Sequence, residues 1–212
     1  MKIGSIYLAA GSSKRMGEAK LSLELAPGVT MGSRGLQELR SCGFHSLTVV
    51  VRPDDPLLWL YDRKERLGLL PKYRITLCKE AQGGMSHSIR SGIQALLSEN
   101  PDAVLIALAD QPFVNATLLK RLVSVFQEDP TVDYVASGYG DVAGPPVIFN
   151  KSMFPLLCEL EGDAGARKLL KSPKYRGKVV RYAAEWAFID VDTKDQLEKA
   201  RLIWSQMQLK AK

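Results

Sequence analysis

Short apolar runs and longer segments with a helical repeat take turns along the chain. Strand-like residues gather at 2–9, 47–52, 74–78, 103–109, 134–137, 147–149 and 179–183, with a helical pattern between most of them. This alternation predicts βαβ units on a mainly parallel central sheet, an α/β class with helices on both faces. The run at 103–109 (AVLIALA) has no polar position, as expected of a central strand covered on both sides. Met85, Ile89, Ile93 and Leu96 share one helical face, and Leu118, Leu122 and Val125 repeat after Asn115, a good N-cap. Thr193 and Gln196 form a capping box, and Leu197, Ala200, Trp204 and Met207 then make a core-packing stripe that runs toward Lys210 and Lys212. Residues 53–56 (PDDP) read as a turn and 138–146 (GYGDVAGPP) as a loop. With no repeat, low-complexity tract or linker, the 212 residues suit one domain spanning 1–212.

Composition narrows the class. A hydrophobic content of 46% and a charged content of 25% are those of an ordinary soluble globular protein. Lys2 is followed at once by a strand pattern rather than a signal peptide, and no apolar run approaches a membrane span, so a cytoplasmic protein is expected. Cys42, Cys78 and Cys158 are far apart, and only His45 and His87 carry imidazole, which leaves no zinc-type spacing and no His-centred triad. The formal charge is +6, yet the cations are scattered and no basic run is interleaved with aromatics. Small polyanionic substrates fit that charge better than nucleic acid.

The stretch at 6–21 (IYLAAGSSKRMGEAKL) carries the first candidate chemistry. A buried strand opens into Gly11-Ser12-Ser13, and Arg15 and Lys20 follow. Small residues let backbone N–H groups approach an anion while the cations neutralise it, which outlines a polyphosphate cradle. The loop is neither G-x-x-x-x-G-K-(S/T) nor G-x-G-x-x-G. Asp110 follows the buried run directly, at a strand end of the kind that faces a ligand cleft. A hard cation such as Mg²⁺ is held by one or two carboxylates plus substrate phosphates; the alternative role is a loop-capping Asp. Asp190 and Asp192 are spaced to place both carboxylates on one face of an extended segment. One of them could complete a metal site, or Asp192 could merely shape the start of the last helix. Gly84 and the serines at 86 and 88 open a helix, where N-capping is the plain explanation. Asp163, Gly165 and Arg167 read as another capped helix start at which a second anion could dock. The 138–146 loop, with Gly144 and Pro145, would share the same cleft.

Residues 8–21 resemble, at every signature position, the MobA-like nucleotidyltransferases, whose pattern is L-A-(A/G)-G-x-S-x-R-M-G-x-x-K. Gly84-Met85-Ser86-His87-Ser88, Leu108-Ala109-Asp110-Gln111-Pro112, Gly162-Asp163-Ala164-Gly165-Ala166-Arg167 and Asp190-Val191-Asp192-Thr193 follow in the family's order. Together they resemble the molybdenum cofactor cytidylyltransferase branch, the accessory proteins of xanthine dehydrogenase and purine catabolism. The resemblance implies a Rossmann-like fold, transfer of CMP from CTP to Mo-molybdopterin, Mg²⁺ on Asp110 and Asp192, and delivery to a molybdenum hydroxylase such as xanthine dehydrogenase. It implies nucleotide contacts from Leu8, Ala9, Ala10, Gly11, Ser12, Arg15, Lys20, Gly84 and Ser88, with Arg15, Lys20 and Asp110 catalytic. Acceptor contacts fall to Gly144, Pro145, Asp163, Gly165 and Arg167. Ala10 goes with the CTP enzymes, where relatives using GTP carry Gly. Rival readings are an enzyme of this fold acting on a sugar phosphate or other phosphorylated alcohol, and a cofactor chaperone without turnover.

Overall fold

The computed structural model describes residues 1–12, 16–60, 73–163 and 165–210. β1 (Ile3–Leu8) is followed by a small ribbon of β2 (Glu24–Ala26) and β3 (Val29–Thr30). The main sheet then gains β4 (Ser46–Val51), β5 (Arg74–Leu77), β6 (Ala103–Leu108), β7 (Tyr134–Tyr139), β8 (Val142–Asn150) and β9 (Gly177–Arg181). Its order is β5-β4-β1-β6-β8-β7-β9, and β8 alone runs against its neighbours. All seven strand-like runs of the sequence are strands of this mainly parallel sheet.

The pleat of each central strand feeds two cores. Tyr7, Leu105 and Ala107 point to one face, where α1 (Met31–Ser41), α3 (Ala116–Glu128) and α6 (Lys194–Lys210) pack. Ile6, Leu8, Val104 and Ile106 point to the other, under α2 (Met85–Leu96), α4 (Phe154–Cys158) and α5 (Arg167–Lys171). Among the described residues no helix is long and apolar enough to cross a membrane.

Two elements depart from the pattern reading. Helix α1 has no prediction because Gly32 and Gly35 weaken its helical signal. Both are needed for close approach: a Cβ on Gly32 would lie 2.5 Å from the Trp59 ring, and one on Gly35 2.6 Å from the Tyr7 hydroxyl. The 138–146 loop is instead a β-hairpin, in which Tyr139 pairs with Val142 across Gly140-Asp141. Pro145 and Pro146 are tolerated there because β8 pairs with β6 only from Val147 onward, which leaves one edge free at the prolines.

Strand order also locates the cleft. From β1 the chain passes through α1 to β4 on one side, whereas β6, reached through α2, lies on the other. The carboxyl ends of β1 and β6 therefore flank a topological switch point, where open α/β sheets bind ligands.

Candidate active site

Hydrogen bonds carry the parallel ladder past the strand ends. The Ala9 N–H donates to the Val50 carbonyl at 2.8 Å and the Ala109 N–H to the Leu8 carbonyl at 3.0 Å. The Val191 N–H then donates to the Asp110 carbonyl at 3.0 Å and brings the 190–192 segment to the same edge. Val191 is fully buried, so Asp190 and Asp192 turn back toward the cleft. The Gln196 side-chain oxygen accepts from the Asp192 and Thr193 N–H groups, and the Gln196 N–H returns a bond to the Thr193 hydroxyl: the capping box is formed.

Into this edge reaches Lys20, only 5% exposed, from the first position of a short turn of 3₁₀ helix. Its Nζ donates to Asp110 Oδ2 at 2.9 Å and to Asp192 Oδ1 at 2.7 Å. Burial alone would lower the lysine's pKa, but the two carboxylates outweigh it and the net shift is upward, so the ammonium stays charged. The neighbouring Asp190 is pushed up by burial first, then by Asp110 and Asp192, against the opposing hydrogen bond from Gln111. Beneath the cluster the buried Tyr7 hydroxyl donates to the Gly32 carbonyl at 2.9 Å, and burial and Asp110 hold the phenol neutral.

The arrangement fits a hard divalent cation. Two carboxylates converge on one buried point that a single cation can reach, and the described residues include no group of three or more His, Cys, Asp or Glu that could hold a metal. A two-carboxylate set of this kind leaves coordination positions to water and substrate phosphates, as Mg²⁺ prefers.

A second group of predicted residues assembles next to β6. Gly84, at φ +109°, lets the 160s segment press against the start of α2: a Cβ there would lie 2.6 Å from the Gly162 carbonyl carbon. The Ser86 N–H donates to the Gly162 carbonyl at 3.2 Å. Asp163 and Arg167 stand with Met85 and Pro145 around a cavity of about 120 Å³, floored by Ile89, Ile106, Leu108 and Phe149. Gly165 abuts Met85, and the Gly144 carbonyl accepts from the Ser137 hydroxyl at 3.0 Å. Ser88 is buried with its hydroxyl 3.9 Å from the Cys78 sulfur, while Ser86, also buried, has a hydroxyl with no partner among the described residues. Leu8 and Ala10 face the core beneath α2, Gly11 and Ser12 are exposed, and Ala9 and Gly11 join Lys20 in a second cavity of about 200 Å³ walled by Arg52, Asp55 and Trp59. Arg15 lies outside the described residues.

Gln111 is the residue that sequence reasoning passes over. Its Nε2 donates to Asp190 Oδ1 at 2.9 Å, across 79 residues. It is adjacent to Asp110 in a segment already singled out, but nothing local reveals the partner.

A buried lysine and two converging carboxylates at a switch point suit a nucleotidyltransferase-type site. The chain belongs to the MobA-like NTP transferase domain family, which residues 5–179 match. It is similar to the purine catabolism protein PucB of Bacillus subtilis (strain 168), at 32% identity over 198 residues, 92% of this chain and 94% of that protein. It is also similar to the nicotine blue oxidoreductase of Paenarthrobacter nicotinovorans, at 26% identity over 201 residues with the same coverage of both chains. Among solved structures, a nucleotidyl transferase from Methanothermobacter thermautotrophicus superposes with a TM-score of 0.78 at 20% identity, over 97% of this chain and 99% of that one.

Proposed function

We propose that the protein transfers CMP from CTP to the phosphate of Mo-molybdopterin and releases pyrophosphate, serving a molybdenum hydroxylase such as xanthine dehydrogenase in the cytoplasm. The observation that carries the chemistry is the convergence of Asp110 and Asp192 on Lys20 beside the signature loop. The ordered motif resemblance and the similarity to a purine catabolism protein support the choice of substrates.

In this reaction an acceptor phosphate oxygen attacks the α-phosphorus of CTP in line. A new P–O bond forms as the bond to the β-phosphate bridge breaks, and pyrophosphate carries away the electron pair. An ionised phosphate needs no general base, which suits a site without histidine: His87 pairs with Glu80 at 2.8 Å instead. Positioning and charge neutralisation then supply most of the acceleration. Asp110 and Asp192 would hold Mg²⁺, which when bound neutralises charge on the reacting phosphates. Lys20 and Arg15 hold the triphosphate, and for Lys20 this means exchanging carboxylate oxygens for phosphate oxygens. The backbone of 8–12 with Gly84 and Ser88 borders the nucleoside. Gly144, Pro145, Asp163, Gly165 and Arg167 take the acceptor, with the Arg167 guanidinium as its anion partner.

The relative named for oxidoreductase activity does not redirect this reading: the loop after β1 has no G-x-G-x-x-G, and the G-x-G-x-x-A stretch at 138–143 lies in the β7–β8 hairpin rather than at a strand-to-helix turn. Mixing the protein with CTP, Mg²⁺ and Mo-molybdopterin and measuring pyrophosphate tests the proposal. Release that requires both substrates is expected. Release with a sugar phosphate but not with Mo-molybdopterin would reassign the acceptor, and pterin binding without any release would make the protein a chaperone.

A further inference from the structure

We infer that Gln111 is a positioning residue for the metal-binding carboxylates: by clasping Asp190 it holds the 190–192 segment against the end of β6 and so sets where Asp192 stands relative to Asp110. The inference rests on the reading of Asp110 and Asp192 as metal ligands.

The 190–192 segment belongs to no strand of the sheet. Among the described residues, two hydrogen bonds tie it to the β6 end: the backbone bond from the Val191 N–H to the Asp110 carbonyl at 3.0 Å and the side-chain bond from Gln111 to Asp190 at 2.9 Å. They work against a repulsion, since Asp110 and Asp192 both raise the cost of charging Asp190. Lys20 answers Asp110 and Asp192 directly. Gln111 answers Asp190 with an amide N–H, which holds the carboxylate without adding a competing cation to the metal position.

The orientation of that amide shows what it serves. Gln111 is 5% exposed, and its Oε1 is buried with no hydrogen-bond partner among the described residues. An orphaned buried carbonyl is a standing cost to stability, one that an apolar side chain of similar volume would avoid. Turning the amide over would set its oxygen against the Asp190 carboxylate. The side chain is thus committed to one bond, to Asp190, at the expense of its own satisfaction. Costs of this kind persist where a site rather than the fold gains from them.

The test compares Gln111→Met, Asp190→Leu and Asp190→Asn in the full chain. Calorimetry measures Mn²⁺ affinity without nucleotide, melting gives Tm, and the transfer assay gives kcat and KM for CTP. In Gln111→Met, Tm is expected to hold or rise while Mn²⁺ affinity and kcat fall about 10–100-fold, the usual effect of losing an outer-shell partner. KM for CTP should change little. Asp190→Leu should behave in the same way, and Asp190→Asn should recover most of the loss, because its amide oxygen still accepts from Gln111. Unchanged Mn²⁺ affinity in Gln111→Met overturns the clasp, as does a Tm loss that accounts for the lost activity. An Asp190→Asn variant as damaged as Asp190→Leu also overturns it, because the Asp190 charge would then act directly. A wild-type protein that binds no Mn²⁺ overturns the metal-site reading itself, and the clasp with it.

Discussion

Lys20 keeps its charge inside the protein because two carboxylates reach it, since an unpaired ammonium at that depth would cost several kcal/mol or lose its proton. Under the proposed reaction the same three side chains that stabilise one another in the free protein also do the chemistry, so activity and folding have to be read together in any substitution here. Asp110→Asn should lower kcat by about 10²–10³ while the folded state survives, read from transfer rate and circular dichroism together. A folded variant with near-normal kcat would remove Asp110 from the metal site. Under the proposed reaction, Ala10 bears on base choice. It is buried beside the exposed Gly11, and in the CTP reading its methyl group would leave room for a one-ring base where relatives using GTP carry Gly. One methyl is worth about 1–3 kcal/mol of discrimination, so Ala10→Gly should shift the CTP-to-GTP ratio toward GTP without inverting it alone. Competition between the two nucleotides measures this, and a wild type that prefers GTP would contradict the cytidylyl assignment.

At the scale of elements, helix α1 shows how local propensity and packing can disagree. Its glycines are poor helix formers, yet they let Tyr7 and Trp59 pack edge to face beneath it, with ring centroids 6.2 Å apart. Thr30 offsets part of the weakness by capping the helix through the Ser33 N–H. Gly35→Ala should therefore destabilise the protein by about 1–3 kcal/mol although alanine is the better helix former, because the added methyl meets the Tyr7 hydroxyl. Urea unfolding checks the sign: a stabilised variant would mean that α1 can shift away from the sheet. Arg34 and Glu38 extend the same helix outward. Arg34 lies over the Trp204 ring of α6, and Glu38 accepts from the Ala116 N–H at the start of α3 at 2.6 Å. One helix thus joins both its neighbours on this face.

Across the whole molecule the sheet ends at β9, an edge strand tied to the turn before β7 through Asp129. The Thr131 hydroxyl and the Lys178 ammonium hold the Asp129 carboxyl down at about 2. A carboxyl depressed in the folded state stabilises above its ordinary pKa near 4, and that stability is lost as pH falls through its folded value. Asp129→Asn should then melt below wild type near neutral pH, with the difference closing between about pH 4 and pH 2. A gap in Tm that persists in acid would show that the tie is not ionic. The sequence by itself determined the seven strand positions, the helix faces at 85–96 and 118–125 and the capping box. Each of these is a local matter of backbone period and of which side chains avoid water. Only the tertiary structure decided that Lys20 stands between Asp110 and Asp192, that Gln111 holds Asp190, that the glycines of α1 belong in a helix, and that 138–146 folds back as a hairpin. Those outcomes depend on strand order, which sets β6 beside β1 and carries 190–192 to their shared edge. Partners so far apart along the chain meet through crossovers whose packing no local period records.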